Sequence, residues 1–204
     1  SNSYIVGESG TGFDDVTSSS QIFFEHVLPR GKFMSLGGGV VIFDFNDDDY
    51  DDIYFINSYG ANALYVNNGD STFTDVAEEV GLDDPYGWGN GACAADFDND
   101  SDQDIYVTNY GHSRFFINND EGDFVDITNE SGTVDPDSTY RSMGCAWGDY
   151  DQDGLLDLVV LRHWHELTSD LIETMQFSEA VRPLVLYRNK GDGSFENVTH
   201  ILGN

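Results

Sequence analysis

Residues 149–160 read DYDQDGLLDLVV, a run of alternating acidic residues that leads directly into an apolar segment. Residues 44–55 (DFNDDDYDDIYF) and 96–107 (DFDNDSDQDIYV) align with it without gaps. The three copies begin 52 and 53 residues apart. This spacing is close to the length of one blade in proteins built from β-sheet repeats of about 40–50 residues. The chain therefore contains three copies of one structural unit.

Apolar runs flank each acidic loop and predict the strands of the unit. VVIF, ACAA and CAWG lie upstream, and IYFIN, IYVTN and LVVLR lie downstream, with the β-branched and aromatic residues typical of strands. A third run enters an Asn/Gly/Asp hairpin turn, which feeds a fourth strand at residues 73–77, 124–128 and 195–199. We therefore predict an all-β chain of three four-stranded antiparallel blades of the propeller type.

The copies divide the chain into an N-terminal segment and three blades within one structural domain. The predicted boundaries are 1–35, 36–84, 85–135 and 136–204. The N-terminal segment repeats the outer-strand motif at residues 13–17 and so predicts an extra strand. In the third blade, residues 162–182 form a predicted rim insertion, and apolar spacing within it predicts a short helix over residues 166–180.

Each acidic loop places oxygen-bearing side chains at positions 1, 3 and 5, which point toward a common centre in a tight loop. Hard cations such as Ca²⁺ bind several such oxygens at about 2.3–2.6 Å. Position 7 is expected to add a backbone carbonyl, and position 9 a further side chain. We predict three Ca²⁺ sites, with ligands Asp44, Asn46, Asp48, Tyr50 and Asp52; Asp96, Asp98, Asp100, Asp102 and Asp104; and Asp149, Asp151, Asp153, Leu155 and Asp157.

The loops differ from EF-hands, which need a bidentate Glu at position 12 and flanking helices. That position is Phe55, Val107 or Val160 here, each inside a predicted strand. Fifteen of the 38 acidic residues fall in the three nine-residue loops, and this crowding is repulsive without a counter-ion. Calcium is favoured over magnesium, which demands octahedral geometry. Gly154 suits the sharp turn at position 6, so the third site is expected to be the best formed.

The pattern D-x-D-x-D-G-x-x-D followed by a strand resembles the calcium loops of integrin α-subunit propellers and of related FG-GAP and VCBS repeats. Residues 34–44 (MSLGGGVVIFD), 64–82 (LYVNNGDSTFTDVAEEVGL) and 105–119 (IYVTNYGHSRFFINN) are similar to the opening of cartilage-acidic-protein-like propellers, the secreted ASPIC and UnbV group. The resemblance implies an extracellular or cell-surface propeller whose loops hold calcium, with adhesive or scaffolding rather than catalytic roles.

Composition narrows the range of partners. The chain has 204 residues, of which 38 are acidic and 8 basic, and its formal net charge is −30. The scattered basic residues cannot form the patch that nucleic acids or anionic membranes require, so we expect neither as a partner. No apolar run approaches the roughly 18 residues that span a bilayer, so no membrane insertion is expected.

Three blades do not close a ring, because closed propellers have about four to eight. The outer-strand motif occurs four times and the inner strands three times, so one strand lacks a partner, and such edges are templates for association. We expect a homo-oligomer or filament formed by strand addition or blade stacking, or else part of a longer surface protein. Both interpretations predict a structural or adhesive protein rather than an enzyme.

The expected location is extracellular or at the cell surface, where calcium is plentiful enough for sites of modest affinity. Asn129 and Asn197 match the acceptor pattern for N-linked glycans, and so does Asn99 within the second loop. Glycans and surface proteins are therefore candidate partners. Cys93 and Cys145 lie three and four residues before their loops, and one residue flips a strand side chain to the other face. We therefore expect two buried thiols rather than a disulfide.

The alternative function is a carbohydrate-binding or carbohydrate-active, lyase-like propeller. It would depend on His163 and His165, or on the aromatic residues Trp88, Trp147 and Trp164. The two histidines can share a strand face, but the sequence offers no evident third ligand beside them, so a metal or catalytic site is not expected there.

Overall fold

The structure is a computed structural model that describes residues 14–27, 38–119, 122–134, 141–163 and 184–202. Twelve strands in these ranges form three separate four-stranded antiparallel sheets. The helix content of the described residues is a single 3-10 turn, Thr199–Leu202. The all-β prediction of three four-stranded blades is confirmed.

Each blade is a meander, because its four strands are neighbours in the order in which they occur in the chain. Blade 1 contains β1 (Gly39–Phe43), β2 (Asp52–Ile56), β3 (Ala63–Asn67) and β4 (Phe73–Asp75). Blade 2 contains β5 (Gly89–Ala95), β6 (Asp104–Asn109), β7 (Arg114–Asn118) and β8 (Phe124–Asp126). Blade 3 contains β9 (Arg141–Gly148), β10 (Asp157–His163), β11 (Leu184–Asn189) and β12 (Phe195–Asn197).

The acidic loop of each blade joins its first and second strands, and a hairpin joins the third and fourth. The hairpins close through backbone hydrogen bonds, such as Asn68 N to Thr72 O at 2.9 Å and Lys190 N to Ser194 O at 3.0 Å. In a meander these two connections lie at the same end of the sheet. Each acidic loop therefore lies beside the hairpin of its own blade.

The blades pack face to face, with one apolar core between blades 1 and 2 and another between blades 2 and 3. Successive residues of β6 serve the two cores in turn: Ile105 and Val107 contact blade 1, and Tyr106 faces blade 3. Burying each such side chain contributes about 1.5–3 kcal/mol. The inner strands approach closely, since a Cβ atom on Gly39 would lie 2.8 Å from the Cα of Gly91.

Cys93 and Cys145 form a disulfide, with Cα atoms 5.8 Å apart, so the expectation of two separate thiols is wrong. Cys93 lies opposite Tyr106, on the face of blade 2 that meets blade 3, and Cys145 lies opposite Val160, on the face of blade 3 that meets blade 2. Neighbouring blades present opposite faces of their sheets to each other. Cysteines at the same repeat position would lie on the same face of their blades and could not meet. The offset of one residue places Cys145 on the opposite face of its strand, so that it faces Cys93.

The N-terminal motif at residues 13–17 does not form the predicted strand in its described part, residues 14–17. The amides of Ser19 and Ser20 both donate to the carbonyl of Val16 at 3.0 Å, and the amide of Thr17 donates to Asp15 Oδ1. The strand prediction is therefore wrong at these positions. A strand needs a hydrogen-bonded neighbour, and the described residues provide none for this segment.

The turn in the N-terminal segment corresponds to the turns that follow β4 and β8. Each of these turns accepts a backbone hydrogen bond from the outer strand of the next blade. The three bonds are Phe73 N to Ser20 O at 2.9 Å, Phe124 N to Val80 O at 2.7 Å and Phe195 N to Ser131 O at 2.7 Å. The N-terminal segment thus docks on blade 1 as blade 1 docks on blade 2.

The predicted helix over residues 166–180 lies outside the described residues, as does nearly all of the rim insertion at 162–182. Described residues resume at Leu184, where β11 begins. No helix in the described part of the chain is long and apolar enough to cross a membrane.

Candidate metal centres

The three acidic loops are folded by the same set of hydrogen bonds. In the third loop, Asp149 Oδ1 and Oδ2 accept the amides of Asp153 and Gly154 at 3.1 and 3.0 Å. Asp153 Oδ1 in turn accepts the amide of Leu155 at 2.9 Å. The carboxylates at positions 1 and 5 are thereby held on the inner side of the loop.

The other two loops repeat this arrangement position by position. In the second loop the bonds are Asp100 N and Ser101 N to Asp96 at 3.1 Å, and Asp102 N to Asp100 at 3.0 Å. In the first loop they are Asp48 N and Asp49 N to Asp44 at 3.2 and 2.9 Å, and Tyr50 N to Asp48 at 2.9 Å. The predicted ligand positions therefore have one common geometry.

Two residues of each loop adopt positive φ. The expected one is position 6, where the values are 68° at Asp49, 85° at Ser101 and 88° at Gly154. Position 4 is the second, with 56° at Asp47, 62° at Asn99 and 63° at Gln152. Sequence reasoning missed position 4, although Asn and Asp tolerate this conformation better than most residues with a side chain.

Two of the loops gather three carboxylates closely enough to hold a metal ion. Within each triad, one oxygen per residue lies within 4.8 Å of the others. The triads are Asp96, Asp98 and Asp100, and Asp149, Asp151 and Asp153. An all-oxygen donor set of this kind suits hard cations such as Ca²⁺. In the first loop Asn46 takes the middle position, and its Nδ2 donates to Asp48 Oδ2 at 3.1 Å.

The aspartates at position 9 are buried, and both oxygens of each accept backbone amides. Asp104 accepts from Phe97 N at 3.3 Å and Asn118 N at 2.9 Å, and Asp52 and Asp157 make the equivalent pairs of bonds. Each aspartate thus joins the start of its acidic loop to the end of the third strand. The sequence analysis assigned these aspartates only a role as metal ligands. It missed the Asn that ends every third strand, whose backbone amide donates to the aspartate.

Burial also disfavours the charged form of these aspartates. It raises the pKa of Asp104 to about 8, and the carboxylates of Asp98 and Asp100 add to the rise. Burial likewise raises the pKa of Asp52 and of Asp157. A divalent cation in the loop would favour the ionised form of each group. The raised pKa values of these buried aspartates are therefore consistent with loops that bind a cation.

The histidines, tryptophans and glycosylation candidates named from the sequence do not come together in one site among the described residues. His163 ends β10, paired with Arg141, while His165 and Trp164 lie outside the described residues. Trp147 packs in the core between blades 2 and 3, with its ring centroid 5.6 Å from that of Phe115. Trp88 stacks edge-on against Tyr110. The glycosylation candidates are all exposed: Asn99, Asn129 and Asn197.

Comparison with known proteins finds one matching family model and similar curated proteins. A family model described as FG-GAP-like repeat matches residues 44–107 and 96–160. Cartilage acidic protein 1 of Xenopus tropicalis and that of Homo sapiens are each 38% identical to this chain over 82 residues. The alignment covers 40% of this chain and 13% and 12% of those proteins. The chain therefore aligns with about an eighth of the length of the curated relatives it matches.

Proposed function

Because the chain belongs to the family of FG-GAP-like repeats, we propose that it is a non-catalytic, calcium-stabilised structural protein of the extracellular space. Each acidic loop binds one Ca²⁺ through the side chains at positions 1, 3, 5 and 9 and the carbonyl at position 7. The observation that carries the proposal is the hydrogen-bond pattern shared by the three loops, from Asp44 to Tyr50 and at both later copies.

Calcium acts on stability, because it offsets the repulsion within each loop and binds only the folded form. At 100 times its Kd, one site adds about 2.7 kcal/mol to the free energy of unfolding. For a chain of this size, about 1 kcal/mol corresponds to roughly 2–4 °C in Tm. Thermal melting in calcium and in EDTA, with magnesium as the control ion, tests the proposal. An equal Tm in calcium and EDTA would refute it.

An extracellular location is supported by the disulfide between Cys93 and Cys145. Disulfides form and persist in oxidising compartments and are rare in the cytosol. The two matched relatives carry cartilage in their names, which also agrees with a location outside the cell. Mass spectrometry of natively purified protein, before and after reduction, tests this part of the proposal. A fully reduced pair of thiols would contradict it.

Blade-on-blade association, in a homo-oligomer or filament, is the second part of the proposed function. The 3-10 turn Thr199–Leu202 occupies the position from which the earlier turns accept the next blade, and Ile201 and Leu202 are about half exposed. On blade 1, Val40 and Ile42 are 56% and 63% exposed on the face that points away from blade 2. The corresponding turn of another copy would cover these apolar residues on displacing the N-terminal turn, whose Ser20 carbonyl accepts Phe73 N in the single chain.

Sedimentation of the calcium-loaded chain at micromolar concentrations tests this association. We expect oligomers that dissociate in the Ile201→Asp/Leu202→Asp variant. The variant should retain its calcium stoichiometry, because the turn follows the end of β12 that is opposite the hairpin and the acidic loop. A wild-type monomer at every concentration would contradict self-association and would assign the exposed faces to further blades of a longer protein.

A further inference from the structure

The outward face of blade 3, which points away from blade 2, corresponds to a face that is buried on blade 1. Val159 has the repeat position of Tyr54, and Leu161 has that of Ile56. Tyr54 and Ile56 are both 0% exposed, in the core between blades 1 and 2, whereas Leu161 is 52% exposed. Blade 3 therefore ends the described stack with one half of a blade junction.

The outward face of blade 1 carries a compensating change in side-chain size. The core between blades 1 and 2 contains Tyr54 of blade 1 and the small Ala92 and Ala94 of blade 2. On blade 1 the positions of these alanines hold Val40 and Ile42, which are 56% and 63% exposed. The volume lost on blade 3, where a valine replaces the tyrosine, is thus offset on blade 1. Close packing requires such compensation, so the two outward faces suit each other.

Polar groups on the same two blades correspond to a hydrogen-bonded pair at the internal junctions. Asn118 and Asn189 each donate to the carbonyl of the second residue in the preceding blade's acidic loop. Asn67 has the same repeat position in blade 1, and its Nδ2 donates within that blade, to Asp51 O at 3.3 Å. The equivalent acceptor on blade 3 is the carbonyl of Tyr150. Blade 3 of a second copy, stacked on blade 1, would bring this carbonyl to Asn67.

We propose that blade 3 of one copy docks on blade 1 of a second copy in the register of the internal blade junctions, an inference that rests on the proposed self-association. The turn Thr199–Leu202 then replaces the N-terminal turn on the second copy. Leu202 has the repeat position of Ser20, so its carbonyl accepts the Phe73 amide that Ser20 holds in the single chain. A head-to-tail contact of this kind builds a ring or a filament.

The N-terminal turn makes little buried contact and is therefore suited to exchange. Residues 14–19 are all exposed, and the next residue, Ser20, is 3% exposed. In the equivalent turn after β4, Ala77 and Leu82 are 2% and 0% exposed, within the core between blades 1 and 2. Exchange replaces a largely exposed turn with the apolar end of Thr199–Leu202, so the gain in burial favours it.

Disulfide trapping tests the register, because the bond between Cys93 and Cys145 marks it at an internal junction. Ala146 has the repeat position of Cys93, and Val40 has that of Cys145. The Val40→Cys and Ala146→Cys variants are mixed in calcium, oxidised and mapped by mass spectrometry. We expect bonds between positions 40 and 146 in at least tenfold excess over 40–40 and 146–146 bonds. Asp192→Cys, at an exposed hairpin position, is the matched control and should give less than a tenth of the bonds to position 40.

The outcomes separate this register from self-association itself. Wild-type chain that sediments as a monomer at every concentration would overturn both. Oligomers whose 40–40 or 146–146 bonds equal or exceed the 40–146 bond would overturn the register and leave self-association standing.

Ser20→Glu tests the exchange of the N-terminal turn. It places a carboxylate at a buried position, so it disfavours the docked turn and raises the fraction of chains that are open to a second copy. The dissociation constant from sedimentation should fall at least fivefold. Ser18→Glu adds the same charge at an exposed position of that turn and should change it less than twofold. Unchanged or weaker association in Ser20→Glu, or a gain without the 40–146 bond, would overturn the exchange.

Discussion

Asn118 Nδ2 lies 3.0 Å from the carbonyl oxygen of Phe45 and donates to it across the boundary between blades 1 and 2. Asn189 repeats the contact between blades 2 and 3, with its Nδ2 2.9 Å from the carbonyl oxygen of Phe97. Phe45 and Phe97 are the second residues of acidic loops, so each of these loops is held by the next blade as well as its own. An ion that orders such a loop therefore also strengthens the junction between two blades.

Asn189→Ala removes the contact between blades 2 and 3. The side chain is 3% exposed, and it also accepts the amide of Gly191, so the substitution leaves buried backbone groups unpaired. We expect the free energy of unfolding to fall by about 2–4 kcal/mol in urea titrations. Asn67→Ala is the matched control, because Asn67 Nδ2 donates within its own blade, to Asp51 O at 3.3 Å. Its expected cost is about 1 kcal/mol, and equal costs would contradict a role for the blade junction.

Asp151→Ala should lower the number of bound calcium ions from three to two. The substitution removes a charged oxygen from the third triad, whose side chains are exposed and do not support a core. Equilibrium dialysis or native mass spectrometry measures the stoichiometry. Asp192→Asn, in the hairpin of the same blade, removes the same charge outside the triad and should leave three ions bound. Three ions in both variants would exclude Asp151 as a ligand.

Cys93→Ala/Cys145→Ala should lower the free energy of unfolding by about 4 kcal/mol. The disulfide closes a loop of 52 residues, and chain-entropy arguments assign this magnitude to a loop of that length. Chemical unfolding of the variant and of the oxidised protein gives the difference.

A shifted pair provides the control for the disulfide. In Cys145→Ala/Ala146→Cys the new thiol lies opposite Val159, on the face of blade 3 that points away from blade 2. We expect no disulfide in this variant, and we expect the thiol at the exposed position 146 to react with Ellman's reagent in the native state. A disulfide in the shifted variant would contradict the face assignment.

Asp84 predicts a pH-dependent contribution to stability. Burial raises the pKa of Asp84, and this effect outweighs the hydrogen bond from Asn109 and the attraction of Arg114. An acid whose pKa is higher in the folded state contributes stability below its ordinary pKa and loses it as the pH rises through the folded value. Asp84→Asn keeps an acceptor for Asn109 Nδ2, which lies 3.2 Å away, and cannot ionise.

The Asp84→Asn variant should therefore gain stability relative to the wild type as the pH rises from 4 to 7. Urea unfolding at several pH values measures the difference between the two proteins, in which the contributions of groups that do not interact with Asp84 cancel. A difference that stays constant across this range would show that Asp84 does not titrate differently on folding.

The sequence predicted the features that depend on neighbouring residues. Strand pairing within each blade and the acidic loops follow from alternation, turn residues and a repeat of 52 or 53 residues. The features that it missed depend on contacts between residues that are distant in the sequence. Which cysteine pairs with Cys93 depends on which faces of the blades meet. The bridging role of Asp104 depends on the third strand of its blade, where the amide of Asn118, 14 residues further along the chain, donates to it. The N-terminal motif resembles an outer strand, yet it needs a neighbouring strand to become one.

The disulfide also has a mechanical consequence when the chain is under tension. Cys93 lies on the first strand of blade 2 and Cys145 on the first strand of blade 3, so a pulling force passes directly from one inner strand to the next. The residues between them cannot be stretched while the bond is intact. At about 3.5 Å per residue, this removes about 180 Å from the length to which the chain can extend. Reduction of one bond would release that length as slack.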